Sequence, residues 1–411
     1  MPETKITRRE MLKLTGLGTL GVAIGASGMG GVIKLLNDED NTEVKAASAQ
    51  QIEPFYGGHQ AGIQTPTQQH VYFAALTALV SSKAELQALF EKWTPLAERL
   101  MKGEPLEDIE TANQYVPPVD TGDTLSSNTS HLTLTFGVGP TLFTNEKLGL
   151  TAKKPKALTD LPHFPKDQLD DAISGGDICI QACADDPQVA FHAVRNLIRA
   201  ASGQVQIKWS ETGFNSIPTD GGTPRNLFSF KDGTVNPSTN SDFNEQVWVD
   251  DRSWLRGGTY LIFRKIQMHL ETWDRTALFE QENTFGRARV SGAPLGKEHE
   301  FDEVDLTLKD ENGKPYIPET SHVFLAKQVK AKIKRRAFSY SSGIVTKTGA
   351  YDAGLLFISF QKNPQAFIDI QNSLGRNDKL NEYITHRSSA IFACFSGINK
   401  GSFIGEALFK N

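Results

Sequence analysis

Histidine spacing sets the first limit on the chemistry available to this chain. Nine histidines are present, and no two of them stand in an H-E-x-x-H run or at a similar metal-binding spacing. A zinc or di-iron site built from several histidines is therefore not favoured. One histidine is enough to bind the iron of a haem, and that role needs no neighbouring ligand in the sequence. Spacing alone does not select which histidine this would be.

The three cysteines narrow the redox chemistry. Cys179, Cys183 and Cys394 cannot all pair with one another, and the gap between the first two is not the C-x-x-C spacing of a redox-active pair. They are predicted to be small, buried, hydrophobic residues. No C-x-x-C-H run is present, so a haem in this chain is predicted to be held without a covalent link.

Residues 228–237, which read Phe-Ser-Phe-Lys-Asp-Gly-Thr-Val-Asn-Pro, contain a carboxylate in a loop-like setting. Taken alone, Asp232 before Gly233 predicts only a turn, and Arg335 beside Arg336 predicts only a solvated edge. Both belong to an ordered series of motifs, which also includes residues 55–63, 257–260, 271–275, 291–296, 321–323 and 335–340. A turn at Asp232 and a solvated edge at Arg335 do not explain why all of these motifs occur together in this order.

Together, and in this order, the motifs resemble those of the dye-decolourising peroxidases, from residue 55 onward. The Asp-Gly-Thr-x-Asn-Pro core of the distal loop is intact, whereas Ser229 stands where the family has glycine. These motifs, together with an N-terminal region at residues 1–49 that is predicted to be an export signal, look most like those of the branch that includes bacterial deferrochelatases. The resemblance implies one non-covalent haem b per chain, with hydrogen peroxide and an organic electron donor as substrates.

The resemblance also implies a role for each matching residue. His322 matches the proximal ligand of the iron. Asp232 matches the distal acid and base, which takes a proton from one peroxide oxygen and passes it to the other. Arg335 matches the distal cation, which stabilises the negative charge that develops as the O–O bond breaks.

Further roles follow from the same resemblance. Asn236 is expected to orient peroxide or a distal water, and the loop amides of Gly233, Thr234 and Val235 are expected to lie against the macrocycle. Asp378 is expected to accept the second N–H of the proximal histidine. Residues 323–328 depart from the family pattern, so haem-propionate contacts of that segment are not carried over.

The length of 411 residues and the hydrophobic pattern predict two domains. Strand-like runs at residues 71–80, 131–138, 177–184, 260–270 and 355–360 are interleaved with amphipathic helices that begin near Ser82, Pro187 and Pro364. Ser82 and Glu85 are predicted to form a capping box. The expected fold class is α+β, with two ferredoxin-like domains at residues 50–222 and 223–411, each an antiparallel sheet covered by helices, and with the haem bound mainly by the C-terminal domain.

Residues 1–49 are predicted to be a twin-arginine export signal. Arg8 and Arg9 precede residues 14–33, which are uncharged and rich in glycine, alanine and leucine. A transmembrane anchor is the alternative, although the many glycines make the stretch only weakly hydrophobic. Ala47-Ser48-Ala49 offers a cleavage site, and retention as an uncleaved tether stays open. The location is therefore expected to be extracytoplasmic: secreted, periplasmic or associated with the cell envelope.

The charge balance bears on the partners. With 43 Lys+Arg against 48 Asp+Glu and a net charge of -5, the chain has no basic field suited to nucleic acid. Peroxide reduction is the leading function. The alternative is a deferrochelatase that releases iron from haem and leaves the porphyrin intact, with an iron permease and an extracellular iron-binding protein as partners. A haem-storage module is the third alternative, and homo-oligomerisation is left open.

Overall fold

The computed structural model describes residues 52–108, 113–219 and 222–410. The predicted signal region, with Arg8, Arg9 and the cleavage site, lies outside the described residues, as does Gly221 at the predicted domain boundary. No helix in the described ranges combines the length and apolar character needed to cross a bilayer.

The first half of the described chain folds as an antiparallel sheet with two covering helices. Its elements are β1 (His70–Ala78), α1 (Lys83–Met101), β2 (Thr133–Val138), β3 (Ile178–Ala184), α2 (Pro187–Ala200) and β4 (Val205–Phe214). The strand order β4-β1-β3-β2 is the ferredoxin-like arrangement. Short 3₁₀ helices lie in its connections, at Pro140–Thr144, Glu146–Leu148, Thr151–Lys153 and Asp171–Ile173.

The second half repeats this arrangement with more insertions. It contains α3 (Asn240–Gln246), β5 (Thr259–Met268), α4 (Leu270–Trp273), α5 (Leu278–Phe285), α6 (His322–Lys327), β6 (Lys334–Arg335), β7 (Phe338–Ile344), β8 (Tyr351–Gln361), α7 (Gln365–Asn377), β9 (Ile384–His386), β10 (Ala390–Cys394) and α8 (Glu406–Phe409), with a 3₁₀ helix at Lys379–Glu382. The order β10-β5-β8-β7 matches that of the first half. The prediction of an α+β fold with two ferredoxin-like units is confirmed.

The two sheets join at both edges, so that eight strands form a closed ring. β2 pairs with β10 through two residue pairs, and β4 pairs with β7 through one. Alternate residues point into the ring, where aromatic side chains such as Phe73, Phe263 and Phe392 form one core cluster. The other faces pack beneath the helices in a second, larger cluster. The three cysteines are buried and unpaired, as predicted.

The helix beginnings follow the sequence signals with one exception. Asp186 accepts a hydrogen bond from the Gln188 amide at the start of α2, and Ser82 accepts one from the Glu85 amide at the start of α1. The predicted capping box is incomplete, because the Glu85 carboxylate reaches the amide of Ser81 instead of that of Ser82. The Glu85 side chain therefore bonds to the residue before the N-cap, whereas a capping box would require a bond to the N-cap residue itself.

Candidate active site

A carboxylate and a guanidinium meet where the loop at residues 228–237 faces strand β6. Asp232 Oδ1 lies 3.1 Å from Arg335 Nη1, and their side chains are 16% and 26% exposed. The contact is an ion pair and not an aligned hydrogen bond, because Oδ1 is buried without a hydrogen-bond partner among the described residues. The Asp232 amide donates to Pro224 O at 2.9 Å, which fixes the loop backbone. A paired base and cation with an open acceptor atom suit proton transfer beside a developing negative charge.

Asn236 links the same loop to the strand. Its Nδ2 donates to Arg335 O at 3.0 Å, and its Oδ1 accepts from the Arg335 amide at 2.8 Å. These two bonds use the side-chain amide to hold the main chain that carries the arginine. The structure therefore places Asn236 where it sets the distance between Asp232 and Arg335.

The adjacent arginines have opposite environments, because successive strand residues point to opposite faces. Arg336 is buried, and its guanidinium donates to Thr65 O, Pro66 O and the side chain of Gln68. It makes no ion pair with a carboxylate in the described ranges. Of the two arginines, Arg335 is the one that reaches Asp232.

His322 opens the six-residue helix α6, which Ser321 caps by accepting from the Phe324 amide. Its Nδ1 lies 2.7 Å from Asp378 Oδ2, and the histidine side chain is 27% exposed against 2% for the aspartate. Asp378 Oδ1 also accepts from the Leu380 amide at 2.9 Å, so the carboxylate is fixed on both sides. Such a carboxylate holds the Nδ1–H tautomer and leaves Nε2 as the atom available for a metal.

A second histidine with a carboxylate neighbour shows what an inaccessible pair looks like. His386 Nδ1 lies 3.7 Å from Asp167 Oδ1, but both side chains are buried and the buried Arg264 also pairs with that carboxylate. Burial, with a smaller contribution from the Arg264 charge, lowers the pKa of His386 to about 3. This histidine is a neutral part of the core, whereas His322 is accessible.

Aromatic packing connects the aspartate loop with the accessible histidine. Phe230 stacks on Phe285 with ring centroids 4.1 Å apart, and Phe285 in turn lies edge-on to His322 at 6.3 Å. Trp273 joins the cluster by stacking on Phe228 at 4.4 Å. Elsewhere in the chain, the tryptophans are also packed: Trp93, Trp209 and Trp248 are buried like Trp273, and Trp254 packs against the core partly buried.

Sequence reasoning missed Glu300 and Arg287, which surround the aspartate loop. Glu300 accepts hydrogen bonds from Lys231 Nζ and, at 3.1 Å, from Thr234 Oγ1. Burial lowers the pKa of Arg287, and the nearby positive charge of Arg335 lowers it further. The only sequence signal for Glu300 is that it follows the motif at residues 291–296 by four positions.

Serine replaces the family's glycine at a strained position. Ser229 adopts a φ of 68°, a left-handed conformation that is uncommon for residues other than glycine. The chain therefore keeps the backbone shape of the loop although it lacks the glycine.

Known proteins resemble this chain over most of its length. The domain family described as Dyp-type peroxidase, N-terminal, matches residues 60–215, and the one described as Dyp-type peroxidase, C-terminal, matches residues 223–399. Deferrochelatase of Shigella sonnei is 36% identical over 423 residues, covering 98% of this chain and 97% of that protein. Deferrochelatase of Escherichia coli (strain K12) is 37% identical over 377 residues and covers 87% of each chain.

Solved structures agree. The oxyferrous complex of DtpA from Streptomyces lividans has a TM-score of 0.82 at 35% identity, covering 88% of this chain and 98% of that one. A DyP-type peroxidase from Cellulomonas bogoriensis has a TM-score of 0.80 at 35% identity, covering 88% and 99%. The chain belongs to the Dyp-type peroxidase family, and it is a haem-dependent peroxidase.

The described residues fit a haem at this site. No hydrogen bond from the described ranges engages His322 Nε2, which leaves it free to bind iron. Asp232 Oδ1 is a buried acceptor without a hydrogen-bond donor in the same ranges. Val235, between them in the motif order, is an apolar side chain that is 62% exposed, as expected of a residue that a flat apolar ligand would cover.

Proposed function

We propose that this chain reduces hydrogen peroxide with Asp232 and Arg335 as distal catalysts and His322 as the axial ligand of haem b. The observation that carries the proposal is the ion pair between Asp232 and Arg335. In this pair, the Asp232 Oδ1 atom is buried and accepts no hydrogen bond from the described residues. A structural salt bridge would be expected to satisfy that oxygen with aligned donors. An oxygen kept open suits a group that must accept a proton.

The division of labour follows from the two side chains. Bound haem supplies the iron that binds peroxide and the electrons that break the O–O bond. Asp232 Oδ1 accepts the proton of one peroxide oxygen and returns it to the oxygen that leaves as water. Arg335 stabilises the negative charge that develops on that leaving oxygen, and it is preorganised for this by the Asn236 bonds to its main chain.

Asp378 and the loop residues 233–235 are the groups that would hold the cofactor. Asp378 keeps the His322 ring oriented and makes Nε2 a stronger electron donor. Gly233, with a φ of 110°, lets the loop turn tightly, and the backbone of Gly233, Thr234 and Val235 would line the haem site. Electrons from a bulky organic donor would reach the haem by way of aromatic residues, and Trp273 with its neighbour Tyr383, at 5.0 Å, is the candidate pair.

The test of the peroxidase proposal is the rate at which peroxide shifts the haem absorption band. Asp232→Asn keeps the size of the side chain and removes the titrating group, so the rate should fall about 10²-fold or more. Asp369→Asn, on the exposed face of α7, is the matched control. If Asp232→Asn reacted with peroxide at the wild-type rate, Asp232 would have no part in the mechanism.

A deferrochelatase activity is the second candidate, favoured by the Shigella sonnei and Escherichia coli relatives that carry that name. In this alternative haem is the substrate, and the partners are an iron permease and an extracellular iron-binding protein. The products distinguish the two functions. Oxidised donor indicates peroxidase turnover, whereas metal-free porphyrin indicates release of iron.

Export and domain division complete the proposal. We infer an extracytoplasmic protein exported through the twin-arginine route, with residues 1–49 as signal and domains at 50–222 and 223–411. Arg8→Lys combined with Arg9→Lys should leave folded, haem-loaded protein in the cytoplasm, measured by fractionation. Continued export of the double variant would indicate a different route.

A further inference from the structure

Glu300 contacts Lys231 and Thr234, which flank Asp232 and Gly233 in the sequence. Its Oε2 accepts from Lys231 Nζ, and its Oε1 accepts from Thr234 Oγ1 at 3.1 Å. Glu300 itself is only 8% exposed. A buried carboxylate therefore spans the turn that carries the distal acid without touching that acid.

The electrostatics of Glu300 favour its ionised form. Burial alone would raise its pKa, but hydrogen bonds from Lys231, Thr223 and Thr234 outweigh burial and the pKa is lowered. Hydrogen bonds to a charged acceptor are shorter and about twice as strong as neutral ones. Lys231, Thr223 and Thr234 are thus all held to the Glu300 carboxylate.

The main chain of Glu300 is held in turn by Arg287. Arg287 Nη1 donates to Glu300 O at 3.0 Å and to Gly292 O at 2.7 Å. Gly292 has a φ of 76°, and a Cβ there would lie 2.6 Å from Lys231 Cδ. The motif at residues 291–296 therefore encloses the stem of Lys231 and directs its ammonium group to Glu300.

Asp232 needs such support because little else fixes its carboxylate. Its Oδ1 has no hydrogen-bond donor in the described ranges, and its contact with Arg335 lacks hydrogen-bond alignment. The loop backbone must set where the carboxylate lies, and an error of about 1 Å in such a group can cost about 10²-fold in rate.

We propose that Glu300 is a positioning residue for the peroxide reaction, which holds the turn of residues 231–234 so that Asp232 reaches the peroxide proton. The inference rests on the function proposed above and adds a residue that acts only through Asp232.

The experiment compares Glu300→Gln with Glu298→Gln, an exposed glutamate two positions earlier. In haem-loaded protein, Glu300→Gln should slow the peroxide-induced absorption change by about tenfold to 10²-fold, with haem content unchanged. Hydrogen exchange of the amides of residues 231–236, measured without peroxide, should accelerate in Glu300→Gln and not in Glu298→Gln. Lys231→Met, which leaves the glutamate in place, should change both measurements in the same direction.

A double variant separates positioning from general support of the fold. In the Asp232→Asn background, Glu300→Gln should change the rate by less than about twofold, because independent effects would add and shared ones do not. Equal rates for Glu300→Gln and Glu298→Gln, or full additivity with Asp232→Asn, would overturn the inference. If instead peroxide leaves the wild-type band unchanged, or Asp232→Asn reacts like wild type, the proposed function fails and not merely the role of Glu300.

Discussion

The first crossover connection has the same topology in both halves of the fold, but the helices that form it are very different. Between β1 and β2 the chain forms the 19-residue helix α1, which buries eight side chains against the sheet. Between β5 and β7 it forms three short helices, α4, α5 and α6, of four, eight and six residues. No residue of α6 is buried by the described chain.

The difference teaches how one topology serves two purposes. A long amphipathic helix supplies its own half with core, since most helical stability in proteins comes from packing an apolar face. A short helix whose residues are at most half-buried leaves its side chains partly accessible, and α6 presents His322 in this way. In the function proposed above, that residue would hold the haem.

The largest expected effect comes from removing the residue that α6 presents. His322→Ala should lose normal haem ligation, because no neighbouring histidine stands at a spacing that could substitute. The measurements are haem content and the ferric absorption spectrum. Retention of both, unchanged, would contradict the axial assignment and with it the proposed use of the second crossover.

The next effect tests the strand that ends that crossover. Arg335→Leu should bind haem but react with peroxide about 10² to 10³-fold more slowly, as is typical of deleting a preorganised charge. Arg336→Leu is the matched control: it removes donors to Thr65 O and Pro66 O and should lower stability more than rate. Stopped-flow absorption and urea unfolding separate the two outcomes, and a reversal of them would reassign the arginines.

A third change compares the two helices directly. Leu89 in α1 is fully buried, so Leu89→Ala should cost about 2–5 kcal/mol in the free energy of unfolding. Leu325 in α6 is half-buried, and Leu325→Ala should cost less than about 2 kcal/mol in the apoprotein. Urea unfolding of apoprotein gives both values. Equal losses would mean that α6 contributes as much core as α1.

The smallest effect concerns Lys334, whose pKa is lowered to about 8 by burial and then by the charges of Arg336 and Arg335. In the unfolded chain the pKa of lysine is about 10.4, so the unfolded state binds more protons between these values. Stability should therefore rise as pH increases from about 8 to about 10. Lys334→Met should lack that rise and be more stable than wild type at pH 7, by about 1–3 kcal/mol. Thermal unfolding across pH measures both, and a variant that keeps the rise would assign it elsewhere.

Local patterns predicted the parts of the fold that have strong periodicity. The apolar runs gave β1, β2, β3, β5 and β8, and α1, α2 and α7 began where the signals placed them. β4 was not predicted because Glu211 and Gly213 occupy buried positions in its second half, so the apolar alternation that marks a strand is interrupted there. β6 and β9 have two and three residues, too few for any period to appear.

The candidate site divides in the same way. The motifs placed Asp232, Arg335, Asn236, His322 and Asp378 in the set of interest, and the structure brings Asp232 to Arg335 and His322 to Asp378. Motifs carry no information on long-range packing, so the contact of Glu300 with Lys231 and the role of Phe285 beside His322 were not foreseen. The assigned catalytic roles stay predictions until the variants are measured.

Ring closure has a consequence for the sheet edges that the chain exposes while it folds. In the closed ring, β2 and β4 cover β10 and β7, and the described strands that lack a partner on one side are the very short β6 and β9. Unpaired sheet edges are templates for aggregation, and a chain with only one half folded exposes two of them. Refolding from denaturant should therefore lose yield steeply with protein concentration, even though the finished molecule offers almost no edge to another copy.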